Sequence, residues 1–286
     1  MATTKEIKRR IRGINSTRQI TKAMELVSTA KLRKARQKLE SSRPYYTTVV
    51  ESIQNVLEYV NLNHPFLLRR EVKKTLLVVI TSDRGLAGGY NNNITDMASD
   101  LIAEDPSAYE LVVIGDKARD RLENSGAELI KSYRGFPEVI DFQHAQRVGK
   151  VVMERYASKA VDRVLLLFTR FDTTLQYTPM SLEVLPFSAP KADEKAEKKA
   201  RTLVTFEPNP DEVLDNLIPL YVVITVFGAL IEASASEQAS RRTAMEAATE
   251  NADEMIEDLS VSYNRARQAA ITNEITEIVS GANALQ

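Results

Sequence analysis

Glycine and proline are spread unevenly along this 286-residue chain, and that unevenness limits what it can fold into. From Ala2 to Val60 there is one glycine, Gly13, and one proline, Pro44; between Gly228 and Gly281 there is neither. Stretches this long without breakers read as helices, because glycine and proline are the residues that end them. The first helix is expected over Thr4–Tyr59, with a kink at Pro44, where a backbone donor is missing. The second is expected from about Asp211, after the PNP of residues 208–210, almost to the end.

The second helix carries a heptad pattern. Met245, Thr249, Ala252, Ile256, Leu259, Tyr263, Ala266 and Ala270 recur in alternating steps of four and three, which imposes a left-handed pairing with another helix. Ile7, Ile11 and Ile14 share one face of the first helix, and Ile20, Met24 and Val27 are read as its continuation. If each helix rises about 1.5 Å per residue from a common level near Tyr59 and Pro210, facing residue numbers sum to about 269. Beyond Tyr263 the longer helix then has no partner within the chain, although Ile271, Ile275, Ile278 and Val279 still form an apolar stripe.

The middle of the chain alternates. Leu76–Thr81, Leu111–Ile114 and Val164–Thr169 read as buried strands, with a further strand near Leu182–Leu185. Asn91–Ala103, Asp116–Asn124 and Phe142–Lys159 read as the helices between them. This rhythm implies an open parallel sheet with helices on its faces. The fold class is therefore α/β: a long antiparallel two-helix coiled coil from the two termini plus a central Rossmann-like open parallel-sheet domain. The expected boundaries are residues 1–60 for the first helix, 72–190 for the central domain, 191–207 for a charged linker and 208–286 for the last helix.

Charge is balanced overall, at −1, but not along the chain. Residues 1–43 hold 13 Lys and Arg against 3 Glu, and residues 232–286 hold 4 Arg against 10 acidic residues. Opposite ends thus carry opposite charge, which points to different partners or to each other. The basic helix lacks any aromatic between residues 5 and 43, so the stacking residues of a nucleic-acid surface are missing; a solvated outer face and an acidic protein partner are the other readings. The charged N-terminus resembles neither a secretory signal nor a transit peptide. The apolar run Leu217–Ile231 is read as a helix packed on a domain, being short for a bilayer and interrupted by Pro219.

Chemistry-bearing patterns are few. With no cysteine, disulfides and thiolate metal sites are excluded, and the two histidines, His64 and His144, are far apart. The loop SDRGLAGGYN, residues 82–91, follows a strand and precedes a helix, where many folds hold phosphate. Its spacing, Gly85-x-x-Gly88-Gly89, matches neither the dinucleotide fingerprint nor the phosphate loop, and no lysine follows. A tight turn with close helix–strand packing is one use of those glycines, and a phosphate site is the other. Gly115 stands in an equivalent place after the next strand. No set of nucleophile, base and oxyanion donor assembles, and neither a cofactor nor a metal site is expected.

Four segments together resemble the gamma subunits of bacterial F-type ATP synthases. They are IKRRIRGINSTRQITKAMELVSTAKLRKA, SDRGLAGGYN, SEQASRRTAMEAATENA and ARQAAITNEITEIVSGANAL. The resemblance covers the whole chain and implies a non-catalytic rotor shaft in a proton-translocating synthase, with the glycine loop structural. Its implied partners are the alpha and beta subunits of the hexamer, the epsilon subunit and the membrane ring of c subunits. Membrane association would come only through the complex, at the cytoplasmic face of the plasma membrane. By the same resemblance, and by charge for the basic cluster, Lys22, Met24, Glu25, Arg33, Lys34, Arg36, Arg241, Gln268, Thr272 and Glu274 would contact beta. Phe206 and Glu207 would lie near epsilon and the ring, and Ile271, Ile275, Ile278 and Val279 would enter the apolar collar of the hexamer. The alternative is a Rossmann-like nucleotide-binding protein with a coiled-coil oligomerisation arm.

Overall fold

The computed structural model describes residues 3–59, 66, 70–136, 140–187 and 210–283. The first helix, α1, spans Thr4–Tyr59 and runs through Pro44; the last, α5, spans Pro210–Asn283 and runs through Pro219. Between them lie β1 (Thr75–Ile80), α2 (Tyr90–Ala103), β2 (Tyr109–Ile114), α3 (Asp116–Leu122), β3 (Glu128–Tyr133), α4 (Phe142–Ala157), β4 (Arg163–Phe171) and β5 (Tyr177–Leu185). A single 3-10 turn, Pro106–Ala108, precedes β2. The chain divides into two compact units, one made of the residues up to Thr29 with those from Arg241 onward, the other of Ala30–Ser240.

In the second unit the strands form one sheet in the order β3-β2-β1-β4-β5. The first four are parallel and β5 runs antiparallel to β4. The expected open parallel sheet is thus present, with an antiparallel edge added by a hairpin through residues 172–176. β3 escaped the sequence reading because ELIKSY is a polar edge strand, largely exposed, without the aliphatic run of its neighbours. Side chains alternate across the sheet. Leu77, Val79, Leu111, Val113, Leu165 and Leu167 pack under α2 and α3. Val78, Ile80, Val112, Leu166 and Phe168 face a second layer that includes α4 and the first third of α5. One stretch of α5 has the length and hydropathy of a membrane span, but 72% of it is buried inside the protein. Ile218, Val222 and Val226 supply part of that burial, as the reading of Leu217–Ile231 anticipated.

In the first unit α1 and α5 pair antiparallel. The Thr249 hydroxyl donates to that of Thr21 at 2.9 Å, and Arg18 forms an ion pair with Asp253. The sequence register placed Ala248 and Asn251 opposite these two residues, within one or two positions of the observed partners. Met245, Thr249 and Ala252 are buried as the heptad requires. The seam of α1 differs from the one expected. Ile7, Thr21 and Ser28 are buried along it, whereas Ile20 and Val27 face outward, 58% and 52% exposed. Steps of seven from Ile7 lead through Ile14 to Thr21 and Ser28, so the helix keeps a strict heptad and fills two of its seam positions with small hydroxyl residues.

Candidate functional site: the filled crevice and the outer faces of the helices

An open α/β sheet binds ligands where the strand order reverses, at the carboxyl ends of the strands. Here that point lies between β1 and β4. The loop after β1 begins at Thr81, whose hydroxyl donates to the Ile114 carbonyl and accepts from the Ala118 N–H in the first turn of α3. Asn91 Oδ1 accepts from the backbone N–H of Ser82, at 3.0 Å, so this side chain braces the loop instead of capping α2. Asp83 reaches to the start of α3. One of its oxygens accepts from the Asp116 N–H at 3.2 Å and the other from the Gly135 N–H at 2.9 Å. A backbone donor at the start of α3 and one in the loop after β3 are thus paired with a carboxylate, on the β2–β3 side of the crevice.

The other half of the crevice is closed as well. No helix follows β4; the chain turns back into β5. α5 crosses this end of the sheet, with Ser236 Oγ donating to the Thr169 carbonyl at 3.1 Å and Ser240 Oγ donating to the Ala87 carbonyl at 2.7 Å. Both serines are fully buried. The small residues of α5 between Ala233 and Ser240 let the helix come this close. The site in which such folds hold a nucleotide is used here as the seat of a helix.

Glycine enters this region in two ways. Gly88 has φ +53 in the loop, a conformation that suits glycine. Gly115 is the tighter position: its φ is +95, and a Cβ there would come within 2.5 Å of the Thr81 carbonyl oxygen. The close helix–strand approach expected of the 85–89 loop is thus made at Gly115 instead. Among the described residues no group of three or more Asp, Glu or His side chains is gathered as a metal site.

The candidate contact residues lie on the helices. In the first unit Lys22 is exposed and pairs with Glu25 at 3.0 Å, and Met24 beside them is half-buried. Arg241 is half-buried. Farther along α5, Gln268, Thr272 and Glu274 are exposed, with the Thr272 hydroxyl donating to the Gln268 carbonyl one turn back. Ile271, Ile275, Ile278 and Val279 are between 43% and 71% exposed. In the second unit Arg33 and Lys34 are exposed, and Arg36 pairs with Glu40 at 2.6 Å. Phe206 and Glu207 lie outside the described residues. Ile20 and Val27, read as seam residues because their spacing also suits one, face outward, and Leu26 beside them is exposed as well.

A sheet domain with a helix seated across the carboxyl ends of its strands, in one chain with two long terminal helices that pair in register, has the architecture of a mechanical component. Comparisons with known proteins agree. The sequence profile of the family described as ATP synthase matches residues 3–285. The chain is 47% identical over 284 residues to the ATP synthase gamma chain of Alkaliphilus metalliredigens, with 98% of each chain covered. It is 44% identical over 296 residues to the sodium-ion-specific ATP synthase gamma chain of Acetobacterium woodii, with 98% of each covered. Among solved structures, the central stalk and c-ring of the Tetrahymena thermophila mitochondrial ATP synthase contains a chain that matches with a TM-score of 0.62 and 27% identity, covering 80% of this chain and 99% of that one. A chain of the Euglena gracilis mitochondrial enzyme shares the fold at 19% identity, with a TM-score of 0.69 over 99% of this chain and 94% of that one. The protein belongs to the ATP synthase gamma chain family.

Proposed function

We propose that this chain is the non-catalytic shaft of a proton-translocating F-type synthase, carrying torque between the c-ring and nucleotide sites held by the beta subunits. The observation that carries the reading is the overrun of α5. In the paired register no α1 residue stands opposite the last turns of α5, yet Ile271, Ile275, Ile278 and Val279 keep an apolar stripe there. An unpaired helix of that length is marginal in water. A collar of other subunits around the tip would cover the stripe and act as its bearing.

Lys22, Met24, Glu25, Arg33, Lys34, Arg36, Arg241, Gln268, Thr272 and Glu274 are then contacts to beta, and Phe206 and Glu207 contacts near epsilon and the ring. The chain lies peripherally at the cytoplasmic face of the plasma membrane, as part of the complex. Rotation turns a different side of one asymmetric shaft toward each of three identical beta subunits and changes their nucleotide affinity in turn. A charge crossing 100 mV releases about 2.3 kcal/mol, so a step of a few charges delivers on the order of 10 kcal/mol. An isolated domain is stable by about 5–15 kcal/mol, so the shaft needs the support of its bearing.

The test is charge reversal of Arg33, Lys34 and Arg36 to Glu in the assembled enzyme. Helix content and assembly should be unchanged, because exposed substitutions cost little stability, while ATP-driven pumping into vesicles should fall. Normal pumping by a normally assembled variant would remove the electrostatic contact. The seating of α5 at the ends of β1 and β4 speaks against the nucleotide-binding alternative; equilibrium dialysis giving a micromolar ATP or NAD site on the isolated chain would bring it back.

A further inference from the structure

Inside the second unit, where α1, α5 and the end of β4 meet, three polar side chains converge, a buried Glu232 with a half-buried Tyr46 and an Arg43 whose side chain is 44% exposed. Glu232 on α5 is only 8% exposed. Its Oε1 accepts from the Tyr46 hydroxyl at 2.7 Å and from the Arg43 guanidinium at 3.1 Å, both on α1. Arg43 Nη2 also donates to the carbonyl of Phe171, the last residue of β4, at 3.0 Å. One turn earlier on α5, Gly228 lies against the Tyr46 ring, and a Cβ there would meet the ring at 3.1 Å. Three elements are thus joined by directional bonds at one level of the fold.

The arrangement is poorly suited to stability alone. Glu232 Oε2 is buried with no hydrogen-bond partner, and leaving an acceptor unmade in the interior is destabilising. Apolar residues of similar volume often serve as well as a buried ion pair or better. Burial, and then the bond to Glu232, push the Tyr46 hydroxyl up to about 12, so it stays protonated and a donor. Burial alone would lower Arg43; the Tyr46 hydroxyl and the Glu232 carboxylate outweigh it and raise it.

What convergent charged bonds supply, and apolar contact does not, is direction. An apolar helix face can roll on its neighbours with little change in buried area. Arg43 and Tyr46 are three residues apart and so share one face of α1, and any roll of that helix moves both donors away from Glu232. Packing is thinner on the side of the β4–β5 turn. A half-open groove of about 640 Å³, lined by Leu39, Arg43, Pro44, Thr47 and Thr173 among others, lies there between α1 and the hairpin.

We propose that Arg43, Tyr46 and Glu232 form an angular lock, positioning residues that fix the rotational phase of α1 against α5 and β4 so that the helix does not slip when torque passes through the subunit. The lock rests on the rotor reading above. It predicts a loss of coupling that exceeds any loss of fold.

The test uses the assembled enzyme, with a rotation probe on the sheet domain and, in parallel, vesicles in which ions pumped per ATP are measured. Glu232→Gln keeps the shape and removes the charge. It should assemble and hydrolyse ATP at the parent rate, with severalfold larger angular fluctuation in the stalled state and fewer ions moved per ATP. Arg43→Met should give the same defect, and the double variant should be no worse than either, because the residues act as one unit. Tyr46→Phe, which loses only a hydroxyl, should shift both readouts in the same direction by less, and it serves as the test if the charge variants fail to assemble. Unchanged fluctuation and pumping ratio in the assembled variants would overturn the lock, as would defects that simply add in the double variant. A parent chain that does not rotate with alpha and beta subunits would overturn the rotor reading and the lock with it.

Discussion

The sheet of the second unit and the helix pair of the first handle apolar surface in opposite ways. Leu76 to Ile80 of β1 are at most 3% exposed, closed on one face by α2 and α3 and on the other by the layer that holds α4 and α5. The helix pair instead places Thr21, Ser28, Thr249 and Ala252 in its seam and turns Ile20, Leu26 and Val27 outward. A seam of hydroxyls and alanines brings two backbones close with little apolar area buried. The sheet thus completes its own core, while the helix pair buries few large apolar residues, Ile7 and Met245 among them, and leaves Ile20, Leu26 and Val27 exposed.

The sharpest way to break the comparison is at Gly115. With a positive φ and the Thr81 carbonyl 2.5 Å from any Cβ, Gly115→Ala should destabilise the isolated subunit by about 2–4 kcal/mol, strain and overpacking together, read from urea unfolding. The same measurement on Thr21→Val with Thr249→Val should show a change of about 1 kcal/mol or less, because both partners of the hydrogen bond become apolar and of the same shape. A large loss in that double variant would mean that the seam hydroxyls hold the pair together and that the contrast is wrongly drawn.

Next in size is the behaviour of the tip. Amides of residues 271–279 should exchange fast in the free subunit and slowly in the assembled enzyme, since few buried contacts protect them when nothing covers the stripe. Strong protection in the free monomer would show a partner within the chain. Removing the residues after Gln268 should leave the unfolding of the sheet unchanged.

A smaller effect separates the units by pH. Tyr46 has an ordinary value of 10.0 in an unfolded chain and is raised to about 12 in the fold. Stability from this group is fully present below pH 10 and is lost as pH rises toward 12, because the unfolded chain ionises first. Thermal midpoints of Tyr46→Phe should therefore fall less than those of the parent across that window, and an identical fall would place the alkaline sensitivity elsewhere.

The two terminal helices were legible because breakers are absent over long spans, and α1 has the bounds that the absence implied. The pairing register came within one or two residues for a mechanical reason: both helices have the same rise. What escaped the sequence had specific causes. β3 is polar because it is an edge. The seam at Thr21 and Ser28 hides behind Ile20 and Val27, whose spacing satisfies the same pattern. The filled crevice depends on Ser240 meeting Ala87 across 153 residues of chain, a contact that no local pattern carries. The glycine loop drew attention as a phosphate site because the strand–loop–helix unit around it is the one that serves that role in other folds.

The seating of α5 in that crevice has a consequence for how the subunit responds to the cell. A domain that binds nucleotide changes its stability and its preferred conformation as nucleotide concentration changes. With Asp83 and the serines of α5 already bonded within the fold, this domain is expected to be insulated from that variation. As part of the shaft proposed above, it should keep the same stiffness in a starved cell as in a fed one.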